Sequence, residues 1–361
     1  MAKPRLRARA TRSSVNLADL TKQPPLNPRQ IKRALKPRSA LKHLETRVVF
    51  EPPIQPLEVG VRVFPKPIKG SLLKRPTRSG SPSASGELDD SKLTGFVPDH
   101  VAFNPYEPTM DKKLVRPKFF DPARKLKKGE YMVTTIFPPD QRRVFSDTSF
   151  PWCTVGRVDL GGGFGSGTLV GPRHLLCASH MMTWNPDNTV NQVTFTPSYF
   201  DGNAPFGNSG IIHWYAYQKV VGPNINGSQI AQDYVLCVLS NRLGDTCGWM
   251  GTRGYSDSWN GLAVWSHIGY PGDLNGGTRP SFQNGFSITG TQSGSDPTDE
   301  DALHQADVWP GQSGGPIFGW WSGEPWPRVT SVQSAQNAQT NLAGAGYDIP
   351  YLVIQALNDF P

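Results

Sequence analysis

The segment that decides the fold is Val308-Trp309-Pro310-Gly311-Gln312-Ser313-Gly314-Gly315-Pro316-Ile317-Phe318. Its centre places a serine hydroxyl among glycines, whose backbone can leave N–H groups pointing into a cleft. A serine becomes a nucleophile only where a base lies within hydrogen-bond reach and donors stabilise the oxyanion that forms. The N–H groups of Gly311 and Ser313 are the candidate donors. A Gly-Pro turn between two strands would give the same pattern, so the interpretation depends on other segments.

Two further segments carry the residues that a nucleophilic serine requires. Residues 165–180, GSGTLVGPRHLLCASH, have the pattern of a strand, a Gly-Pro turn and a second apolar strand ending at His180. Residues 232–239, QDYVLCVL, place Asp233 at the start of an apolar strand, where it can orient an imidazole. A core histidine, a strand-capping aspartate and a turn serine are the alternatives for each residue alone. Their order and contexts together favour His180, Asp233 and Ser313 as catalytic residues.

These motifs carry a family resemblance. SGTLVGPRHLLCASH, QDYVLCVL and PGQSGGP resemble the histidine, aspartate and serine motifs of chymotrypsin-fold serine endopeptidases, above all the microbial glutamyl endopeptidase branch. TIFPPDQR, from residue 135, resembles the mature amino-terminus of the bacterial members of that branch. The resemblance covers residues 135–361. It implies an all-β fold of two antiparallel six-stranded barrels with a carboxy-terminal helix, and an endopeptidase that acts on polypeptide substrates with no cofactor and no metal.

The chain departs from these relatives around the serine. Trypsin-like enzymes have an aspartate before the nucleophile that pairs with the new amino-terminus on activation, whereas this chain has Gln312. The glutamyl branch reads a P1 glutamate partly with a histidine whose place is taken here by Gln333, followed by Ser334. Asp307 lies where trypsin-like enzymes bind a basic P1 side chain. We therefore expect Asp307, Gln333 and Ser334 to contact substrate and to favour a basic P1 residue, with an acidic P1 residue as the alternative.

The composition divides the 361 residues into unlike parts. The 37 glycines and 34 prolines suit many short strands and turns, and residues 349–360 alone have a helical pattern. The net charge of +8 hides an asymmetry, because residues 1–134 carry 28 basic and 12 acidic side chains and residues 135–361 carry 9 and 17. We predict a disordered, basic, Pro-rich extension over residues 1–95, the rest of a pro-segment over 96–134 and the peptidase domain over 135–361.

The basic extension has three interpretations. As a pro-segment, it would be held against an acidic domain by opposite charge, and the active form of a precursor would begin near Thr135. It could instead be a solvated tail, or an arm that binds nucleic-acid phosphates. Nucleic acid is disfavoured, because only Phe50 and Phe64 are available for base stacking before residue 96. The rival function is a catalytically silent protease-fold protein whose basic tail binds nucleic acid or an acidic partner.

The sequence has few features that indicate where the protein is located. The first 24 residues hold no apolar run typical of a signal peptide, and no segment is apolar enough to span a membrane. The resemblance suggests secretion, while the sequence leaves the compartment open.

Cys153, Cys177, Cys237 and Cys247 permit two disulfides, and Cys237 could pair with Cys247 across a turn-rich stretch. Cys153 and Cys177 could equally be buried thiols.

Overall fold

The structure contains fifteen strands within its described residues. It is a computed structural model that describes residues 23–40, 66–75, 90–110, 136–222, 225–293, 299–336 and 339–361. In chain order the strands are β1 (Ser71–Leu72), β2 (Arg143–Val144), β3 (Val155–Asp159), β4 (Phe164–Gly171), β5 (His174–Cys177), β6 (Thr194–Pro197), β7 (Ser209–Ala216), β8 (Val235–Leu239), β9 (Gly251–Thr252), β10 (Ala263–Gly269), β11 (Ser281–Ser293), β12 (Asp299–His304), β13 (Pro316–Trp320), β14 (Pro327–Gln336) and β15 (Asn341–Gly346).

The strands close into two antiparallel barrels of six strands each. The first follows the order β7-β6-β3-β4-β5-β8 and closes because β7 also pairs with β8. The second follows the order β10-β13-β14-β15-β12-β11 and closes through β10 and β11. Three short strands add to the outside: β1 pairs with β7, β2 with β11 and β9 with β14. The predicted architecture of two six-stranded barrels is therefore confirmed.

Helices are few and short in the described residues. They are α1 (Pro28–Ala34), α2 (Gly227–Ile230), α3 (Gly244–Cys247) and α4 (Asp348–Asp359). Short 3-10 helices cover Asp90–Leu93, Trp152–Thr154, Ser179–Met181, Asp257–Trp259 and Asn275–Gly277. The helix predicted at the carboxy-terminus is confirmed as α4, and its Ile349, Leu352 and Val353 are buried. No helix in the described ranges is long and apolar enough to cross a membrane.

The position of α4 explains why β5 and β8 are apolar at nearly every position. These strands pair antiparallel, with Leu175 opposite Cys237 and Cys177 opposite Val235, and all their residues are buried. One face of the pair lies in the core of the first barrel, while Leu176 belongs to the core that contains α4. Strands covered on both faces lack the polar alternation of half-exposed strands. His180 thus follows, and Asp233 precedes, a strand whose residues are all buried.

Parts of the amino-terminal extension pack onto the barrels. Ile31 and Phe103 are buried in the core of the first barrel, and Leu93 in the core that contains α4. Asn27 and Gln30 form a capping box that starts α1, with Pro28 in its first turn. The composition of residues 1–95 did not predict these fixed segments, because they bury their few apolar side chains against the barrels rather than in a core of their own. Thr135 and the predicted precursor boundary lie outside the described residues.

All four cysteines are buried free thiols. The suggested pairing of Cys237 with Cys247 is wrong. The sulfur of Cys247 lies 3.2 Å from the carbonyl oxygen of Leu243, and the thiol of Cys153 donates to the carbonyl of Cys247 at 3.0 Å. Cys237 contacts Cys177 instead, because β5 and β8 are neighbours. Burial raises the pKa of the Cys247 thiol well above its ordinary value, so this sulfur stays protonated.

Candidate active site

Two tight turns shape the loop that carries Ser313. The N–H of Gln312 donates to the carbonyl of Trp309 at 3.0 Å, and the N–H of Gly315 donates to that of Gln312 at 3.0 Å. Gly311 and Gly314 have φ angles of +101° and +82°, which favour glycine. A Cβ atom at Gly311 would lie 2.3 Å from the carbonyl oxygen of Tyr270. The loop therefore requires glycine at this position for both conformation and space.

The N–H groups of the loop divide into two sets. Those of Gln312, Gly314 and Gly315 donate to backbone carbonyls. Those of Gly311 and Ser313 donate to no group within the described part of the chain. Ser166 holds the loop from behind: its N–H donates to the carbonyl of Ser313 at 2.8 Å, and its hydroxyl donates to that of Gly311 at 2.7 Å. The two remaining N–H groups belong to the serine itself and to the glycine two positions before it, and they suit the predicted oxyanion hole.

His180 lies in the 3-10 helix that follows β5, beside Asp233 at the start of β8. Its Nδ1–H donates to Asp233 Oδ2 at 2.5 Å, and its backbone N–H donates to Oδ1 at 2.7 Å. The hydroxyl of Ser334, from the second barrel, donates to the same Oδ2 at 2.5 Å. The carboxylate is fully buried and accepts three hydrogen bonds, whereas the imidazole is 20% exposed. Because Nδ1 is bound to Asp233, Nε2 is the ring nitrogen of His180 that is left to accept a proton.

The buried carboxylate also shifts the protonation of the imidazole. Burial lowers the pKa of His180, but the charge of Asp233 and its hydrogen bond outweigh that effect and raise the pKa above its usual value. The raised pKa favours proton uptake by the imidazole. A group that must accept a proton from a hydroxyl benefits from this shift.

A cleft of about 240 Å³ is lined by two of the three predicted catalytic residues. They are His180 and Ser313. The lining is completed by Gly222, Ile225, Val308, Trp309, Pro310, Gly311, Gln333, Ser334, Ala335 and Gln336. His180 follows a strand of the first barrel, and Ser313 precedes a strand of the second, so the cleft lies between the two barrels.

The chain has the chymotrypsin fold. Its two closed six-stranded barrels, its carboxy-terminal helix and the cleft between the barrels are the features of that fold. The fold thus confirms the architecture that the sequence motifs implied.

Comparisons with known proteins found neither a matching family model nor a matching curated protein. Among solved structures, the chain is similar to a Glu endopeptidase in complex with MPD, at 18% identity over 62% of this chain and 100% of that one, with a TM-score of 0.48. It is also similar to the protease Anisep from Arthrobacter nicotinovorans, at 23% identity over 57% of this chain and 96% of that one, with a TM-score of 0.42.

The structure does not bring Asp307 into the cleft. Its two carboxylate oxygens accept the N–H groups of Phe137 and Gln141 at 2.7 and 2.8 Å, and the residue is 1% exposed. Burial raises the pKa of Asp307, although these N–H groups act in the opposite direction. This placement gives no support to the expectation that Asp307 binds a basic P1 side chain, because a segment distant in sequence occupies its carboxylate.

Gln333 and Ser334 both line the cleft, so their contact with substrate stays a prediction, and each also makes hydrogen bonds within the site. The Gln333 side chain donates to the backbone carbonyls of Ala335 and Leu342 at 3.2 and 3.4 Å, and its backbone pairs with the glycines after Ser313. The Ser334 hydroxyl donates to Asp233. The sequence did not predict that Ser334 binds the carboxylate of Asp233. The contact joins residues of the two barrels, and no local sequence pattern indicates it.

Proposed function

We propose that this chain is a serine endopeptidase that uses His180, Asp233 and Ser313. The observation that supports it most is the buried carboxylate of Asp233, which holds Nδ1 of His180 while Ser313 lies in the same cleft. The two uncommitted N–H groups of the serine loop add the second requirement of acyl transfer. Each feature alone could be purely structural. Together at one cleft, they provide the nucleophile, the base and the orienting acid that acyl transfer requires.

The proposed reaction uses only groups of the chain and water. His180 Nε2 takes the proton of Ser313 as the hydroxyl oxygen attacks the scissile carbonyl, and Asp233 stabilises the imidazolium. The N–H groups of Gly311 and Ser313 bind the oxyanion; loss of one such donor typically costs about 3–4 kcal/mol of barrier. His180 then gives the proton to the leaving amine. Water, activated by the same imidazole, hydrolyses the acyl-enzyme and restores the serine.

The lining of the cleft supports an uncharged P1 residue. Among the described residues that line it, His180 is the only titratable side chain, and the rest are apolar, amide, hydroxyl or glycine. An unpaired charge brought into such a cleft would lose its hydration without gaining a partner. We therefore place uncharged P1 side chains ahead of both the basic and the acidic alternatives. A peptide library varied at P1 tests this, and cleavage confined to Arg, Lys or Glu would contradict it.

Labelling with a fluorophosphonate tests the function itself. We expect the purified chain to bind one equivalent of the probe at Ser313 and to hydrolyse casein, and Ser313→Ala to lose both properties. Ser322→Ala, at an exposed serine in a surface turn, is the matched control and should keep both. The rival binding protein predicts no labelling of the parent chain. Labelling without peptide hydrolysis would restrict the function to other acyl substrates.

Whether the chain is a precursor stays a prediction. The charge asymmetry and the resemblance near Thr135 support cleavage before that residue. Against it, the described lining of the cleft comes entirely from residues 180–336, so nothing described in the extension obstructs the site. Determination of the amino-terminus of the labelled species distinguishes a processed form from an active full-length chain.

A further inference from the structure

A buried cation lies behind the serine loop. Arg142 is 4% exposed and precedes β2. Its Nε–H donates to Asp140 at 3.1 Å, its Nη1 donates to Asp273 at 2.9 Å and to Gln312 at 3.1 Å, and its Nη2 donates to Asp140 at 2.9 Å and Asp273 at 2.6 Å. A guanidinium has five N–H donors, so every one of them is used. Such complete satisfaction indicates a fixed position.

Gln312 connects this cation to the nucleophile. Its side-chain Oε1 accepts both Nη1 of Arg142 and the backbone N–H of Trp309, the latter at 2.9 Å. Its own N–H donates to the carbonyl of Trp309. The side chain therefore ties together both ends of the turn that contains Gly311. Because that turn sets the direction of the Gly311 N–H, a displaced Gln312 would displace the oxyanion donor.

The segment that carries Arg142 also binds the chain at Asp307, before the serine loop. Asp307 accepts the N–H groups of Phe137 and Gln141, and its own N–H donates to the side chain of Gln283 at 2.6 Å. Asp307 and Gln312 stand at the two ends of the stretch that leads into Ser313. Residues 137–142 therefore hold this stretch at both ends, and they do so as an internal part of the chain.

The charge of Arg142 persists across the working pH range. Burial lowers the pKa of the guanidinium, but its bonds to Asp140 and Asp273 outweigh this and raise the pKa above its ordinary value. A protonated guanidinium with two carboxylates is a charge-assisted, bidentate arrangement, the strongest kind of side-chain hydrogen bonding. Gln312 thus receives a permanent donor.

We propose that Arg142 is a positioning residue that holds the oxyanion turn in its working conformation through Gln312, so that the intact chain is active without cleavage before residue 142. This inference rests on the proposed serine endopeptidase function. The precursor prediction requires a free α-amino group near Thr135 to build the site. Arg142 takes the place of such an amino group: its buried guanidinium binds Gln312, the residue before Ser313, and belongs to an internal part of the chain.

The test uses four variants of the full-length chain. Gln312→Met removes the acceptor but leaves Arg142 paired with Asp140 and Asp273, and Gln312→Glu restores an acceptor. Arg142→Lys keeps a charge but cannot reproduce the planar fork. Arg328→Lys is the matched control, since Arg328 is equally buried and binds Asp90 and Glu324 at 3.0 and 2.7 Å, among residues that do not line the cleft.

Each variant is measured for kcat, KM, the rate of fluorophosphonate labelling and thermal midpoint. We expect Gln312→Met and Arg142→Lys to lower kcat and the labelling rate about 10- to 100-fold with KM changed less than about threefold, as for a misplaced catalytic group. Gln312→Glu should recover most of the lost kcat. Arg328→Lys should lower the thermal midpoint as much as Arg142→Lys while keeping kcat.

The outcomes separate this inference from the function on which it rests. A parent chain that neither reacts with the probe nor hydrolyses peptides removes the proposed function and this inference together. An active parent whose Gln312→Met and Arg142→Lys variants keep kcat overturns this inference alone. It is also overturned if mass spectrometry finds the probe only on chains cut before residue 142.

Discussion

At the scale of single residues, the buried pair of His180 and Asp233 sets the pH range of any reaction at Ser313. Only a neutral imidazole can accept the hydroxyl proton, and Asp233 raises the pKa of His180 above the ordinary 6.5. Activity should therefore be lost as pH falls through that raised pKa, and the acid limb of kcat/KM should lie above pH 6.5. A profile of kcat/KM across the acid and neutral range checks this. An acid limb below the ordinary pKa of histidine would contradict the pairing.

Gly311 gives a second prediction at this scale. Its φ is +101°, and a methyl group at this position would lie 2.3 Å from the carbonyl oxygen of Tyr270, which leaves no room for alanine. Gly311→Ala should shift the turn and its N–H, which lowers kcat about 100- to 1,000-fold, the effect of losing one oxyanion donor. Steady-state kinetics with a peptide substrate measure it. Gly323→Ala, also at positive φ but with open space around it, is the control and should keep kcat.

The residues of the site differ in how far sequence alone predicts them. His180, Asp233 and Ser313 stand in contiguous motifs, and the structure places His180 against Asp233 and in the same cleft as Ser313. The contacts of Asp307 were not predicted, because its partners Phe137 and Gln141 lie 170 and 166 positions away and only the folded chain brings them together. Long-range contacts of this kind carry no local pattern. The hydrogen bond from Ser334 to Asp233 is another such contact, and the sequence did not predict it.

At the scale of elements, the short pieces of the extension act as parts of the barrels. Leu93 ends a 3-10 helix and is 2% exposed in the core that includes α4. Leu93→Ala should lower the free energy of unfolding by about 2–5 kcal/mol, the usual cost of a buried leucine. Urea denaturation measures the change. A passive tail would instead predict no change in the urea midpoint.

The matched control for this prediction lies in the same extension. Leu72 belongs to β1 and is 44% exposed, so Leu72→Ala should change the free energy of unfolding by less than about 0.5 kcal/mol. Composition could not separate the two leucines, because it averages over a window rich in proline and charge. Burial against a distant surface decides the difference, and α1 and β1 are fixed in the same way.

At the scale of the whole molecule, the extension and the barrels share ion pairs in both directions. Arg75 of the extension binds Asp348 at 2.7 Å, whereas Arg328 of the second barrel binds Asp90 of the extension. The overall charge asymmetry predicted a simple attraction of a basic tail to an acidic domain. The contacts combine such pairs with buried apolar side chains, which salt does not screen.

Removal of residues 1–134 should therefore destabilise the protein. A chain that begins at Thr135 loses Leu93 and Phe103 from the cores and Asp90 from Arg328. We expect a lower thermal midpoint than for the full-length chain and no gain in kcat per labelled serine. Scanning calorimetry and titration with the probe measure both. An equally stable, more active short chain would restore the pro-segment interpretation.

The four buried thiols have a consequence for where this protein can fold. Small secreted enzymes often depend on disulfide cross-links, which glutathione in the cytosol keeps from forming. In this chain both barrels are complete while all four cysteines are free thiols, so no disulfide among them cross-links the described fold. Millimolar dithiothreitol should leave its thermal midpoint and any hydrolysis unchanged, and a bacterial cytosol should yield folded protein. A fall in the midpoint on reduction would reveal a cross-link.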